Sequence, residues 1–228
     1  MPPTVIWDFD GTLAFRSGWW GDCLVEILDE HEPGHGLEAA VFHPSMQQGF
    51  PWHDWEQVRE GLDADAWWRP IEAITHRAFA TAGLDAERSA RYAPLVRSTY
   101  LRFERWQLFP DTERALRRLR DAGWRNAILS NHVPELGELV AHLGLAALVD
   151  DVWSSAVTGY DKPHPEAFRR ALAALGSPST VWMVGDNPRA DVEGAEAVGI
   201  PAILIRREGP AARRAPDAES AATMILAT

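Results

Sequence analysis

Thr4-Val5-Ile6-Trp7-Asp8-Phe9-Asp10-Gly11-Thr12-Leu13 is an apolar run that delivers two carboxylates, spaced two residues apart, into a glycine turn. Residues 4–7 read as a buried strand, and strand ends that enter such turns are where open α/β sheets place their ligand chemistry. A carboxylate there can attack phosphorus. In extended backbone Asp8 and Asp10 lean to the same side, where they repel unless a divalent cation or a shared proton relieves them. The pair therefore implies Mg2+. The competing reading is an Asp-Gly turn between two strands, a common hairpin signal.

Three further segments follow in order. Arg125-Asn126-Ala127-Ile128-Leu129-Ser130-Asn131 is a second apolar strand closed by Ser and Asn, which taken alone is equally a helix cap. Gly159-Tyr160-Asp161-Lys162-Pro163-His164-Pro165-Glu166 sets a lysine ahead of a helix. Val181-Trp182-Met183-Val184-Gly185-Asp186-Asn187-Pro188-Arg189-Ala190-Asp191 is a strand running into Gly-Asp and a second acid. Each could be turn chemistry. Together, in this order, they resemble the four motifs of the haloacid dehalogenase-like (HAD) hydrolase superfamily, in its phosphatase-type branch with a C1 alpha-helical cap.

The resemblance implies an α/β fold, a Rossmann-like doubly wound parallel sheet with an inserted all-helical cap. It implies a hydrolase for a small-molecule phosphomonoester, working through an aspartyl-phosphate. Asp8 would be the nucleophile. Asp10 would protonate the leaving oxygen and then deprotonate water. Ser130, Asn131 and Lys162 would contact the phosphoryl group, although Asn131 by default makes turn and cap hydrogen bonds. Mg2+ would be held by the Asp8 carboxylate, the Asp10 carbonyl and the Asp186 carboxylate, with Asp191 in support.

The lysine carries an argument independent of any family. All 22 basic residues are Arg except Lys162. A chain that otherwise uses Arg throughout keeps one compact ammonium where the planar fork of Arg would demand a different cavity. The alternative is a surface remnant of composition.

At 228 residues with 46% hydrophobic content, the chain is long enough for one domain and a sizeable insertion. Its one cysteine, Cys23, excludes an internal disulfide and suits a reducing compartment. No apolar run approaches the roughly 18 residues needed to span a bilayer, and the N-terminus has no basic region followed by an apolar stretch. A cytoplasmic protein without a membrane partner is expected, as monomer or homodimer. A formal charge of −11 repels a nucleic-acid backbone, and no basic stripe with interleaved aromatics offsets it. A small phosphate ester is not excluded, because a local positive site suffices to bind it.

Short apolar runs at 4–7, 126–129, 152–153, 181–184 and 202–205 alternate with helical stretches at 111–122 and 134–143, the pattern of a parallel sheet covered on both faces. Residues 16–102 instead show helical periodicity at 20–30, 63–82 and 85–102. The expected division is a core of 1–15 and 103–228 with a cap of 16–102. The tail from Arg206 reads as a loop and a short closing helix with no assigned function.

The polar, Pro/Gly-punctuated segment 43–55 is long for a helix connection and is the candidate specificity loop, with Gln47, Gln48, Trp52 and Trp55 as its selecting residues. Trp by default packs between helices, so an aromatic or apolar substrate is the sharper of two readings for the Trp-rich insertion. His31-Glu32-Pro33-Gly34-His35 fits a metalloprotease pattern in letters only, since Pro33 and Gly34 interrupt the helix it requires. Within the resembled superfamily, 2-haloacid dehalogenase, phosphosugar mutase and catalytically silent variants remain alternatives. Asp10 and Asp186 together argue for phosphate over halide. A Schiff-base chemistry is excluded because the cap has no lysine.

Overall fold

The computed structural model describes residues 1–228. Thr4–Trp7 forms β1, with every residue buried on both faces, as expected for a central strand of a parallel sheet. It is followed by β2 (Ala14–Arg16), β3 (Trp106–Leu108), β4 (Arg125–Ser130), β5 (Asp151–Ser154), β6 (Val181–Gly185), β7 (Ala202–Ile205) and β8 (Arg214–Ala215). Six of these form one parallel sheet in the order β5-β4-β1-β6-β7-β8, and β2 and β3 form a separate two-stranded sheet. The chain thus works outward from β1 to β5 on one side and returns to build β6, β7 and β8 on the other. Such a switch point opens a crevice at the carboxyl ends of the strands.

Register decides what reaches that crevice. Trp7 pairs with Ile128 of β4 and with Val184 of β6, so the carboxyl ends of the three central strands are level. Asp8, Ser130 and Asp186 emerge there within two residues of the paired positions. One face is sealed by Ile6, Leu129, Phe168, Leu175, Met183, Ile200 and Leu204 in a continuous buried cluster. The other is covered by the helices Thr112–Asp121 and Ala218–Leu226, which pack on each other. Asn126, fully buried in β4, accepts from the Trp7 indole at 3.1 Å and donates to the carbonyls of Leu116 and Leu148, each at 3.0 Å. A buried polar group is tolerated when its partners are made, and here the amide ties sheet to helix.

The chain forms two compact units, one of residues 1–15, 55–61 and 107–228, the other of 16–54 and 62–106. The division departs from the sequence boundaries at 103–106, which lie in the second unit, and at 55–61, which lie in the core unit. There the Arg59 N–H donates to Gly159 O at 2.9 Å, Arg59 reaches Asp161 at 3.4 Å and Glu60 pairs with Arg170 at 2.5 Å. These contacts are polar and non-local, and apolar periodicity carries no trace of them.

The second unit is helical, with Trp19–His31, Ala64–Thr81, Ala86–Tyr92 and Val96–Tyr100. Asp63 and Asp85 cap the second and third, accepting backbone N–H groups at 2.7 and 2.8 Å. The helix expected over 85–102 is broken by a 3-10 turn at Ala93–Leu95, where Pro94 has no N–H to continue the ladder. Segment 43–55 is also more ordered than a plain loop, with 3-10 turns at His43–Met46 and Pro51–Asp54. The tail is ordered too, pairing β8 with β7 before its closing helix. No helix is long and apolar enough to cross a membrane.

Candidate functional site

The ladder of β1 runs one residue past the strand, since the Asp8 N–H donates to Val184 O at 2.9 Å. Beyond it the chain reverses around Phe9 O, which accepts from Thr12, Leu13 and Ala14 at 3.2, 2.9 and 3.0 Å. Gly11 makes this possible with φ +74, and a Cβ there would lie 2.6 Å from Asp186 Oδ2. Gly185 likewise leaves room that a side chain would take from the Asp191 carboxylate. Two glycines thus clear space for two carboxylates.

The Asp8 carboxylate is held by its Oδ1, which accepts from Ser130 Oγ at 2.9 Å and Lys162 Nζ at 2.8 Å. Its Oδ2 accepts only a longer bond from Thr12, at 3.3 Å. Lys162, 2% exposed, also donates to Asp191 Oδ1 at 2.5 Å. Asp191 sits on a π-helical turn, Pro188–Glu193, whose cap Asn187 accepts from the N–H groups of Arg189 and Ala190, while the Asn187 N–H donates to Asp191 Oδ2 at 2.9 Å. Asn131 spends both ends of its amide on the Lys162 backbone, donating to its carbonyl at 2.8 Å and accepting its N–H at 2.7 Å. That reciprocal pair fixes the lysine to the end of β4, so in this structure Asn131 positions Lys162.

Asp8, Asp186 and Asp191 offer oxygens within 4.8 Å of one another. A hard divalent cation suits an all-carboxylate donor set facing one ammonium, and the gap kept by Gly11 beside Asp186 fits such a group. The trio adds Asp191 to the two carboxylates expected from sequence, Asp8 and Asp186, while the third expected ligand, the Asp10 carbonyl, is a backbone group outside this set. Asp10 turns to His132, Nε2 to Oδ1 3.4 Å, and keeps 26% exposure.

The electrostatics follow from burial. Asp186 is pushed up to about 7 by its desolvation and by the Asp8 and Asp191 charges, against the opposing pull of Arg207 and Lys162. Asp191 is raised to about 6, chiefly by desolvation, with Lys162 opposing. Desolvation acts against the Lys162 ammonium, but Asp191 and Asp8 outweigh it and hold the amine charged. Asp10 is raised by burial, with His132 pulling the other way. An acid whose folded value is raised contributes stability fully present below its unfolded value near 3.8 and lost as pH climbs through the folded value near 7. The metal-free protein is therefore expected to melt at a lower temperature at pH 8 than at pH 5, by on the order of 5 °C, and saturating Mg2+ should abolish most of that difference. Scanning calorimetry with and without chelator measures it; a melting temperature that rises with pH in chelator would overturn this reading.

Sequence reasoning passed over three residues here. His132 directly follows the Ser-Asn pair and is fully buried against Asp10 and the edge of Phe9, ring centroids 5.6 Å apart. Arg206, with φ +61, donates to Thr12 O at 2.9 Å and to both oxygens of Asp111 at 2.9 and 2.8 Å. Arg207 lies 2.7 Å from Asp186. The available signal was position, because both arginines follow β7 at the same sheet edge as the acids.

The specificity candidates divide between the units. Gln47 and Gln48 are exposed on the second, and Trp52 there stacks on Phe50 at 4.8 Å within a cluster that includes Trp20, itself stacked on Tyr100 at 4.0 Å. Trp55 lies on the core unit under Arg189, 5.6 Å from its ring. The His-Glu-x-x-His letters do not share a helix, which ends at His31; His31 stacks on Tyr92 and His35 pairs with Asp29.

A strand-end aspartate gripped by a serine and a lysine on a doubly wound sheet defines a class of hydrolases. The haloacid dehalogenase-like hydrolase model matches residues 2–199, and the chain belongs to that family. It is 37% identical over 186 residues to a phosphoserine phosphatase of Thermus thermophilus, covering 80% of this chain and 72% of that protein. It is 31% identical over 216 residues to a phosphoglycolate phosphatase of Rhodospirillum rubrum, covering 90% and 80%. The HAD-hydrolase YfnB of Bacillus subtilis, solved bound to magnesium, superposes with a TM-score of 0.75 over 99% of each chain at 16% identity, a likeness of fold.

Proposed function

We propose that the protein is a Mg2+-dependent phosphatase for small phosphomonoesters, working through an aspartyl-phosphate on Asp8. The observation that carries this reading is the single Asp8 oxygen held by both Ser130 and Lys162 beside Asp186. A carboxylate pinned in rotation, with cations to screen an anionic ester, is a competent nucleophile. Relatives named for phosphoserine and phosphoglycolate point to small esters that also carry a carboxylate.

In this reading an Asp8 oxygen attacks phosphorus and the ester P–O bond breaks. The leaving alkoxide takes its proton from Asp10, whose raised affinity for that proton suits the acid role. Asp10, now ionised, takes a proton from water as that water attacks the phosphoryl group, releasing phosphate and restoring Asp8. Ser130 and Lys162 donate to phosphoryl oxygens as charge builds on them. The Asp8 carboxylate, the Asp10 carbonyl and the Asp186 carboxylate would hold Mg2+, which would supply charge neutralisation. Asp191 holds Lys162 in place. Asp10 and Asp186 favour phosphate over the halide chemistry of related enzymes. Gln47, Gln48, Trp52 and Trp55 are proposed to bear on substrate choice, with Trp52 acting through packing.

Purified protein assayed for phosphate release against p-nitrophenyl phosphate and a panel of small phosphomonoesters should lose at least about 100-fold in rate on chelation and recover it with Mg2+. Equal rates in chelator would refute the metal's part. Halide release from 2-haloacids would replace the phosphatase reading with a dehalogenase.

A further inference from the structure

We propose that Arg207 is the resident counter-ion of the cation site, occupying Asp186 when Mg2+ is absent and displaced by it on binding. The inference rests on the magnesium reading above and adds to it a residue that regulates access to the site.

The geometry begins with Arg206. Its guanidinium is committed on several sides, to Thr12 O, to both Asp111 oxygens and to the face of Phe109 at 3.8 Å. The backbone at the end of β7 is therefore anchored, and with the next N–H donating to Ile205 O at 2.7 Å, the following side chain is launched from a fixed point. That side chain is Arg207, which sets Nε 2.7 Å from Asp186 Oδ2. Oδ2 is also the oxygen that a Cβ at Gly11 would meet at 2.6 Å.

Charge explains why the arm lies there. Three carboxylates, Asp8, Asp186 and Asp191, face one ammonium from Lys162. With all three ionised the cluster is two charges short of balance. Lys162 touches Asp8 and Asp191, so Asp186 is the member without a lysine contact. Arg207 supplies it with a partial counter-charge from outside.

The contact is built to be given up. The Arg207 side chain is 62% exposed while Asp186 is 10% exposed, so the arginine leaves for water at little desolvation cost, whereas the carboxylate stays and needs a replacement. A divalent cation brings two charges to the same oxygen and is the stronger competitor. Exchange of this kind subtracts the Arg207 contact from the apparent affinity for metal.

Calorimetric titration of Mg2+ into the metal-free full chain tests this without reference to turnover. Arg207→Gln should tighten Mg2+ binding by about two- to five-fold, the range expected for an exposed guanidinium on a carboxylate. Arg214→Gln is the control. It removes the same charge from an exposed arginine that pairs with Glu208, and it should leave the affinity within about 1.5-fold. An affinity unchanged or weakened in Arg207→Gln overturns the proposal, and so does an equal gain in Arg214→Gln, which would mark a general field effect. Wild type that binds no Mg2+, or Asp186→Asn that binds it as tightly as wild type, refutes the magnesium reading itself and the exchange with it.

Discussion

Asp8→Asn is expected to abolish phosphate release from every substrate, a loss on the order of 10^4-fold or more in kcat, because an amide is a poor nucleophile and a weaker ligand for a hard cation. The fold should survive it. The amide oxygen can still accept from Ser130 and Lys162, and one of three mutually repelling carboxylates is neutralised. Circular dichroism and a melting curve matching wild type would place the loss in chemistry. Residual turnover within about ten-fold of wild type would show that another group attacks phosphorus.

Lys162→Arg keeps the charge and is expected to lose on the order of 10^2- to 10^3-fold in kcat. The ammonium is buried between Asp8 and Asp191 at 2.8 and 2.5 Å, and the space around it is measured for a point charge. A guanidinium has to displace one carboxylate or the phosphoryl group, and overpacking adds about 1–3 kcal/mol of instability. Lys162→Met separates the two contributions. It removes the counter-charge from two buried carboxylates and should cost about 3–5 kcal/mol in urea unfolding of the metal-free protein. Near wild-type kinetics in Lys162→Arg would show that the lone lysine is an accident of composition.

The sheet was legible because burial on two faces writes itself as uninterrupted apolar runs, and each run from Thr4–Trp7 to Ala202–Ile205 became a strand of the parallel sheet. The acids were legible because a strand end next to glycine announces a site. What escaped notice lacked a local signature. His132 beside Asp10, Arg207 on Asp186 and Asn131 on the Lys162 backbone are pairings between segments far apart in sequence, and no periodicity encodes them. The break at Pro94 was visible in the letters and was overrun by the helical pattern on either side.

Residues 55–61 bear on any effort to recombine this chain with its relatives. The polypeptide passes between its two units four times, at 15/16, 54/55, 61/62 and 106/107. A chimera that exchanges 16–106 as one cassette would therefore also remove the segment that pairs with Asp161 and Arg170 and lies against Gly159, where a Cβ would meet the Glu60 backbone at 2.6 Å. The recipient core would be left with a bare seat next to the lysine loop. Modular transplantation therefore requires two cassettes, 16–54 and 62–106, with the native heptapeptide left in place between them.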